Sequence, residues 1–129
     1  MDETLRIYLE SFGVYYDNYP TALITKGLIL TKTGKEKEGE TILREAVKLR
    51  TESLPKDHFW VAVANDALGE CLTNQKRFEE AEPLLVESYA TLNSRLGPTD
   101  PRTAEALRRL VALYSLWGKP QQVAQYRSA

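Results

Sequence analysis

The stretch Ala67-Leu68-Gly69-Glu70-Cys71-Leu72, followed by Arg77-Phe78-Glu79-Glu80-Ala81-Glu82-Pro83-Leu84-Leu85, decides how this chain is read. It puts a small residue, Gly69, inside one apolar run and another, Ala81, inside the next, with a polar break between. Working outward, the chain written under itself at an offset of 42 residues falls into register. Gly27 lies over Gly69 and then Val111, and Ala22 over Ala64 and Ala106. Leu30 meets Leu72 and Tyr114, Gly34 meets Lys76 and Gly118, and Ile42 meets Leu84 and Tyr126. Small residues recur over small ones and large apolar residues over large apolar ones, the signature of a tandem array in which each unit stacks on the next.

Each unit reads as two helices. From Thr103 to Tyr114 the apolar residues Ala104, Leu107, Leu110, Val111, Leu113 and Tyr114 keep helical spacing. Asp100-Pro101 supplies a capping side chain and a proline in the first turn, where its missing N–H costs nothing. Gly118 ends that helix, and Lys119-Pro120 opens a shorter one to about Arg127. By the same reasoning helices are predicted over 59–74 and 78–95 in the middle unit, with Leu96-Gly97-Pro98 as the stop. In the first unit they run over 20–33 and 36–53, with Gly34 and Pro55 as the breaks. Residues 1–18 are expected to be the trailing helix of a preceding repeat and its link, with Phe12 over Leu54 and Leu96. The units then span 19–58, 59–100 and a short 101–129 within a single all-α domain.

The two segments quoted first, together with Leu96-Gly97-Pro98-Thr99-Asp100-Pro101-Arg102-Thr103-Ala104, resemble tetratricopeptide repeats of the longer, kinesin-light-chain type also seen in bacterial multi-domain proteins. The resemblance covers essentially the whole chain. It implies a right-handed α-α superhelix of about three helix-turn-helix repeats plus a leading half-repeat. It also implies a non-catalytic module that binds a peptide or protein segment in its concave groove. Gly39 in place of the family's Ala, and Lys26 where the other units have Leu68 and Leu110, lead us to expect looser packing in the first unit.

By that resemblance the first helix of each unit lines the inner wall. The groove-facing candidates are Thr21, Ile24, Thr25, Leu28 and Lys32, then Val63, Asp66, Ala67, Glu70 and Asn74, then Glu105, Arg108, Arg109, Ala112 and Ser115. Read in order, they pass from apolar through acidic to basic. The carboxylate clamp known in this family needs Lys and Asn at fixed inner places, which here hold Ile24, Leu28, Asp66, Glu70, Arg108 and Ala112. Two carboxylates in the middle unit would repel an acidic terminus. The Asn ladder of kinesin light chains is also missing, since Asn65 lies one place off.

Composition narrows the classes further. Across 129 residues, 17 Lys and Arg face 18 Asp and Glu, for a formal charge of −1, with 43 % hydrophobic and 27 % charged residues. That balance lacks the basic excess of a polyanion binder. Arg102, Arg108, Arg109, Lys119 and Arg127 bias the last unit, but Glu105 interrupts them and no stacking platform accompanies them, so no nucleic acid is expected. One cysteine, Cys71, and one histidine, His58, leave no disulfide framework and no metal or cofactor expectation. The start, Met1-Asp2-Glu3, lacks the order of a secretion signal, and no apolar run nears the roughly 18 residues of a membrane helix. A cytoplasmic location is expected, as the C-terminal part of a larger bacterial protein whose upstream domain, in proteins of this type, is sometimes a kinase or transcription regulator.

Asp57-His58 is the one pairing that invites a catalytic reading, because an acid can orient an imidazole base. No nucleophile is placed by motif, and His58 aligns with Asp100, where a capping role is expected. Cys71, in an apolar column with Ile29 and Leu113, reads as a small buried hydrophobe. Among the aromatics, Tyr8, Tyr15, Tyr16 and Tyr19 crowd the start, and Tyr114 holds a core column of the family. A solenoid ends in open faces unless polar residues cap them. Leu116, Trp117, Val123 and Tyr126 at one end, and Ile7, Leu9 and Phe12 at the other, are therefore candidates for self-association. Homo-oligomerisation is the alternative to peptide binding, and a small enzyme built on His58 is the third reading. Reversing Arg108 and Arg109 to Glu separates the first two.

Overall fold

The computed structural model describes residues 19–128. The expected trailing helix over 1–18, with Tyr8, Tyr15, Tyr16 and the apolar side at Ile7, Leu9 and Phe12, lies outside the described residues. Six helices follow in pairs: α1 (Tyr19–Lys32) with α2 (Glu36–Ser53), α3 (Phe59–Asn74) with α4 (Phe78–Leu96), and α5 (Pro101–Trp117) with α6 (Pro120–Arg127). No strand occurs among the described residues, and the protein is an all-α helical repeat.

Local chemistry sets the helix ends. The Asp100 carboxylate accepts the Arg102 N–H at 2.8 Å, and Pro101 occupies the first turn of α5. His58 does the same for α3, its Nδ1 accepting the Trp60 N–H at 3.0 Å. Two of the second helices start instead with acidic pairs, Glu36 and Glu38 in α2 and Glu79 and Glu80 in α4, which suit the positive end of the helix dipole, while α6 starts on Pro120. The turn inside each pair needs a left-handed residue: Gly34 (φ 84°) and Gly118 (φ 77°) supply it, but in the middle unit Lys76 adopts it at φ 61°.

One core runs through all three pairs, built on Leu23, Leu43, Leu72, Leu85, Leu110 and Leu113, each essentially inaccessible to water. Each such leucine contributes roughly 1.5–3 kcal/mol relative to exposure. The recurring small residues let the paired helices close. A Cβ on Gly69 would stand 2.5 Å from Leu85, and one on Gly27 would stand 2.5 Å from Leu43. Gly39 brings α2 still nearer, since a Cβ there would meet the Gly27 carbonyl at 2.8 Å. The expectation of loose packing in the first unit therefore fails at this point: replacing the usual Ala by Gly permits a backbone-to-backbone contact that Ala would block.

Between pairs each second helix packs on the first helix of the next unit, α2 on α3 and α4 on α5. First helices also touch from unit to unit, α1 with α3 and α3 with α5, while the backbones of α2 and α4 stay apart and are bridged by side chains, Arg44 reaching Glu80 at 4.0 Å. The first helices thus form the inner wall, and the second helices stand apart on the outer side. Among the described residues no helix is long and apolar enough to cross a membrane.

Candidate interaction surface

The inner wall carries side chains from α1, α3 and α5, and the fold treats the sequence-predicted ones very differently. Thr25, Lys32, Asn74, Arg108, Ala112 and Ser115 are exposed, and Leu28, Val63, Glu70 and Glu105 are partly so. Ile24 and Ala67 are buried in the common core. Thr21 is exposed, but its hydroxyl accepts a hydrogen bond from Arg50 at 2.8 Å.

The acidic and basic sections do not face a ligand separately; they face each other. Arg109 of α5 donates to Asp66 of α3 in close contact and reaches Glu70 at 3.5 Å and Glu105 at 3.3 Å. Arg108 pairs with Glu105 one turn earlier on its own helix. Helical spacing explains why: Asp66 and Glu70 share a face of α3, and Glu105 and Arg109 share one of α5. Three carboxylates thus meet two guanidiniums, and the free charge on the wall is small. Arg108, with a side chain 72 % exposed, and the exposed Lys32 remain the accessible cations among the predicted wall residues.

Asp66 is only 2 % exposed, and among the described residues its Oδ1 has no hydrogen-bond partner, as is also true of Arg109 Nε. Burial pushes the Asp66 carboxyl up, to about 6, with Glu70 and Glu105 adding to the effect and Arg109 opposing it. Burial also works against the Arg109 charge, yet Asp66, Glu70 and Glu105 together hold its pKa above the ordinary value. The pair is a tie between units bought at a desolvation cost.

Sequence reasoning missed a second tie. Arg50, near the end of α2, is 5 % exposed; it donates to the Trp60 carbonyl at 3.0 Å and to Thr21, and its guanidinium lies 4.9 Å from the Trp60 ring centre. Burial lowers its pKa to about 10. The available signal was columnar: Arg50 occupies the place of Leu92, which is buried in the next unit. A third network hangs on Glu40, which accepts from Arg44, Gln75 and Arg77. Burial opposes its charge, but those bonds hold the carboxyl below its usual range.

Of the self-association candidates, Leu116 is 62 % exposed, whereas Trp117, Val123 and Tyr126 are partly buried against the core. Trp117 stacks near Phe78 and Tyr114, with Lys119 above it at 4.5 Å. Tyr126 stacks on Tyr114 at 5.8 Å, and the Tyr114 hydroxyl donates to Glu82 at 2.7 Å. The short α6 is therefore pinned by aromatic contacts.

His58 serves as a helix cap, and Asp57 pairs with Arg95 rather than with the imidazole. Cys71 is buried, its Sγ donating to the Glu36 carbonyl at 3.2 Å, and burial raises the thiol pKa. Among the described residues no group of His, Cys, Asp and Glu is arranged to hold a metal ion.

A family model described as tetratricopeptide repeat matches the chain twice, over residues 18–94 and 60–126. No curated protein matches it.

Proposed function

Because the chain belongs to the tetratricopeptide-repeat family, whose repeats mediate protein–protein interaction and are typically non-catalytic, we propose that it binds a peptide or protein segment along the wall formed by α1, α3 and α5. The supporting observation is the wall's internal neutralisation. With Asp66, Glu70 and Arg109 engaged in one another, the surface offers Leu28, Val63 and Ala112 beside two accessible cations, Lys32 and Arg108. Such a surface suits a segment with apolar anchors and acidic residues beside them. On the resemblance alone we add that the chain works as the C-terminal, kinase- or regulator-associated part of a larger bacterial protein.

The test must leave the fold intact, which excludes reversing Arg109. Arg108→Glu and Leu28→Asp change the wall without touching the buried pair. Proteins captured by the unaltered chain and lost by both variants, at equal melting temperature, support the groove; capture unchanged in both overturns it. Self-association is the second reading, favoured by the exposure of Leu116 (62 %) and Ile29 (57 %). Sedimentation at tens of micromolar separates them: a monomer counts against self-association, while a dimer abolished by Leu116→Glu supports it.

A further inference from the structure

The outer side carries a cleft that peptide binding on the inner wall does not use. It lies where α2 and α4 stand apart, with the N-terminal half of α3 as its floor, and encloses about 210 Å³. A shallower extension of about 320 Å³ continues along α2 and shares Val47 and Thr51 with it.

Two features distinguish this cleft from a mere gap between helices. First, Ser88 lines it, is 2 % exposed, and has a hydroxyl with no hydrogen-bond partner among the described residues. A buried polar group of that kind carries a penalty of about 1–3 kcal/mol until something pairs with it. The equivalent place in the first unit is Ala46, also buried, so packing does not demand a hydroxyl there. Second, the partly buried Asn65 side-chain amide also lines the cleft and makes no hydrogen bond among the described residues. An Asn amide offers a donor and an acceptor side by side, the pattern that complements a peptide group. Around these two, Val47, Val61 and Leu84 supply an apolar lining, with exposed Lys56 on one lip and exposed Glu87 on the other.

We propose that this outer cleft is a second binding site, taking an extended peptide segment. An aliphatic side chain enters against Val47, Val61 and Leu84, and the adjoining peptide group pairs with Asn65 and Ser88. The volume fits one side chain with its flanking peptide units and is too small for a helix, which is about 10–12 Å across. The opposed lips set the flanking residues by charge complementarity: an acidic residue toward Lys56 and a basic one toward Glu87.

The probe is the blocked tripeptide acetyl-Asp-Val-Lys-amide, titrated into the whole chain while backbone amide shifts are followed by NMR. Saturable shifts at Val47, Asn65 and Ser88 are expected. Replacing the Val of the probe by Gly should weaken binding about tenfold. Asn65→Ala and Ser88→Ala should each weaken it about fivefold, the first at unchanged melting temperature and the second at a raised one, since it removes the unpaired hydroxyl. Lys56→Glu should favour acetyl-Lys-Val-Lys-amide over the original probe. The proposal is overturned by shifts confined to α1 and α5, by a non-saturating response, or by affinity that neither Asn65→Ala nor Ser88→Ala alters. That last result leaves Ser88 a hydrated hydroxyl only.

Discussion

Arg109 of α5 and Asp66 of α3 form a buried ion pair that spans two repeats, closing the inner wall at the place where the sequence alone suggests a change of ligand charge. Removing one partner strands the other. Arg109→Leu should destabilise the fold by about 3 kcal/mol near neutral pH, measured by urea denaturation. Asp66→Leu combined with Arg109→Leu should cost clearly less than the two single changes added together. A strictly additive double variant would show that the two residues are energetically independent.

The same pair sets a pH dependence. In the folded protein the Asp66 carboxyl titrates at about 6, above the value near 4 of an unfolded aspartate. The folded state thus holds the proton more tightly. The contribution of Asp66 to stability is fully present below about pH 4 and is lost as pH rises through about 6. Glu40, held below its ordinary value, acts in the opposite sense at lower pH, so the comparison must be differential. The stability of the unaltered chain relative to Asp66→Asn should fall between pH 4 and 6 and level off above. A flat difference across that window would refute the assignment.

Arg50 should prove as important as any leucine. Arg50→Met removes the bonds to Trp60 and Thr21 together with the cation–ring contact, while leaving most of the stem volume. A loss of about 2 kcal/mol is expected. The change should also alter Trp60 fluorescence, whereas Arg44→Met, at an exposed ion pair, should shift stability by less than about 1 kcal/mol.

Two substitutions test the close-packed turns. Gly69→Ala drives a methyl to 2.5 Å from Leu85 and should cost about 1–3 kcal/mol. Lys76→Gly, at the left-handed position that Gly34 and Gly118 hold in the other units, should stabilise by about 0.5 kcal/mol. Thermal melting distinguishes the signs, and a stabilising Gly69→Ala would contradict the packing described here.

The helices were legible because each is bounded by residues whose effect is local: Asp100 and Pro101, Gly118, and the Leu96-Gly97-Pro98 stop. The pairing was legible too, since Gly69 over Gly27 marks a steric requirement that no other side chain meets. The inner wall was less so, because a helix face is read one helix at a time while contacts form between helices. Asp66 and Arg109 look like opposite charges offered to a ligand until α3 and α5 are side by side. Ile24 and Ala67 fall on the same nominal face but are taken up by the core. Arg50 was overlooked because a charged residue near a helix end reads as solvated, and only its column with Leu92 marks it as interior.

The separation of α2 from α4 has a mechanical consequence. With the backbones of α2 and α4 parted, the outer side of the stack is held by α2 on α3, by α4 on α5 and by the Arg44–Glu80 contact rather than by direct packing of one second helix on the next. Changing the outer spacing therefore strains the packing of α2 on α3 and of α4 on α5. The Arg109 and Arg50 ties act with that packing as pins that hold one unit against the next.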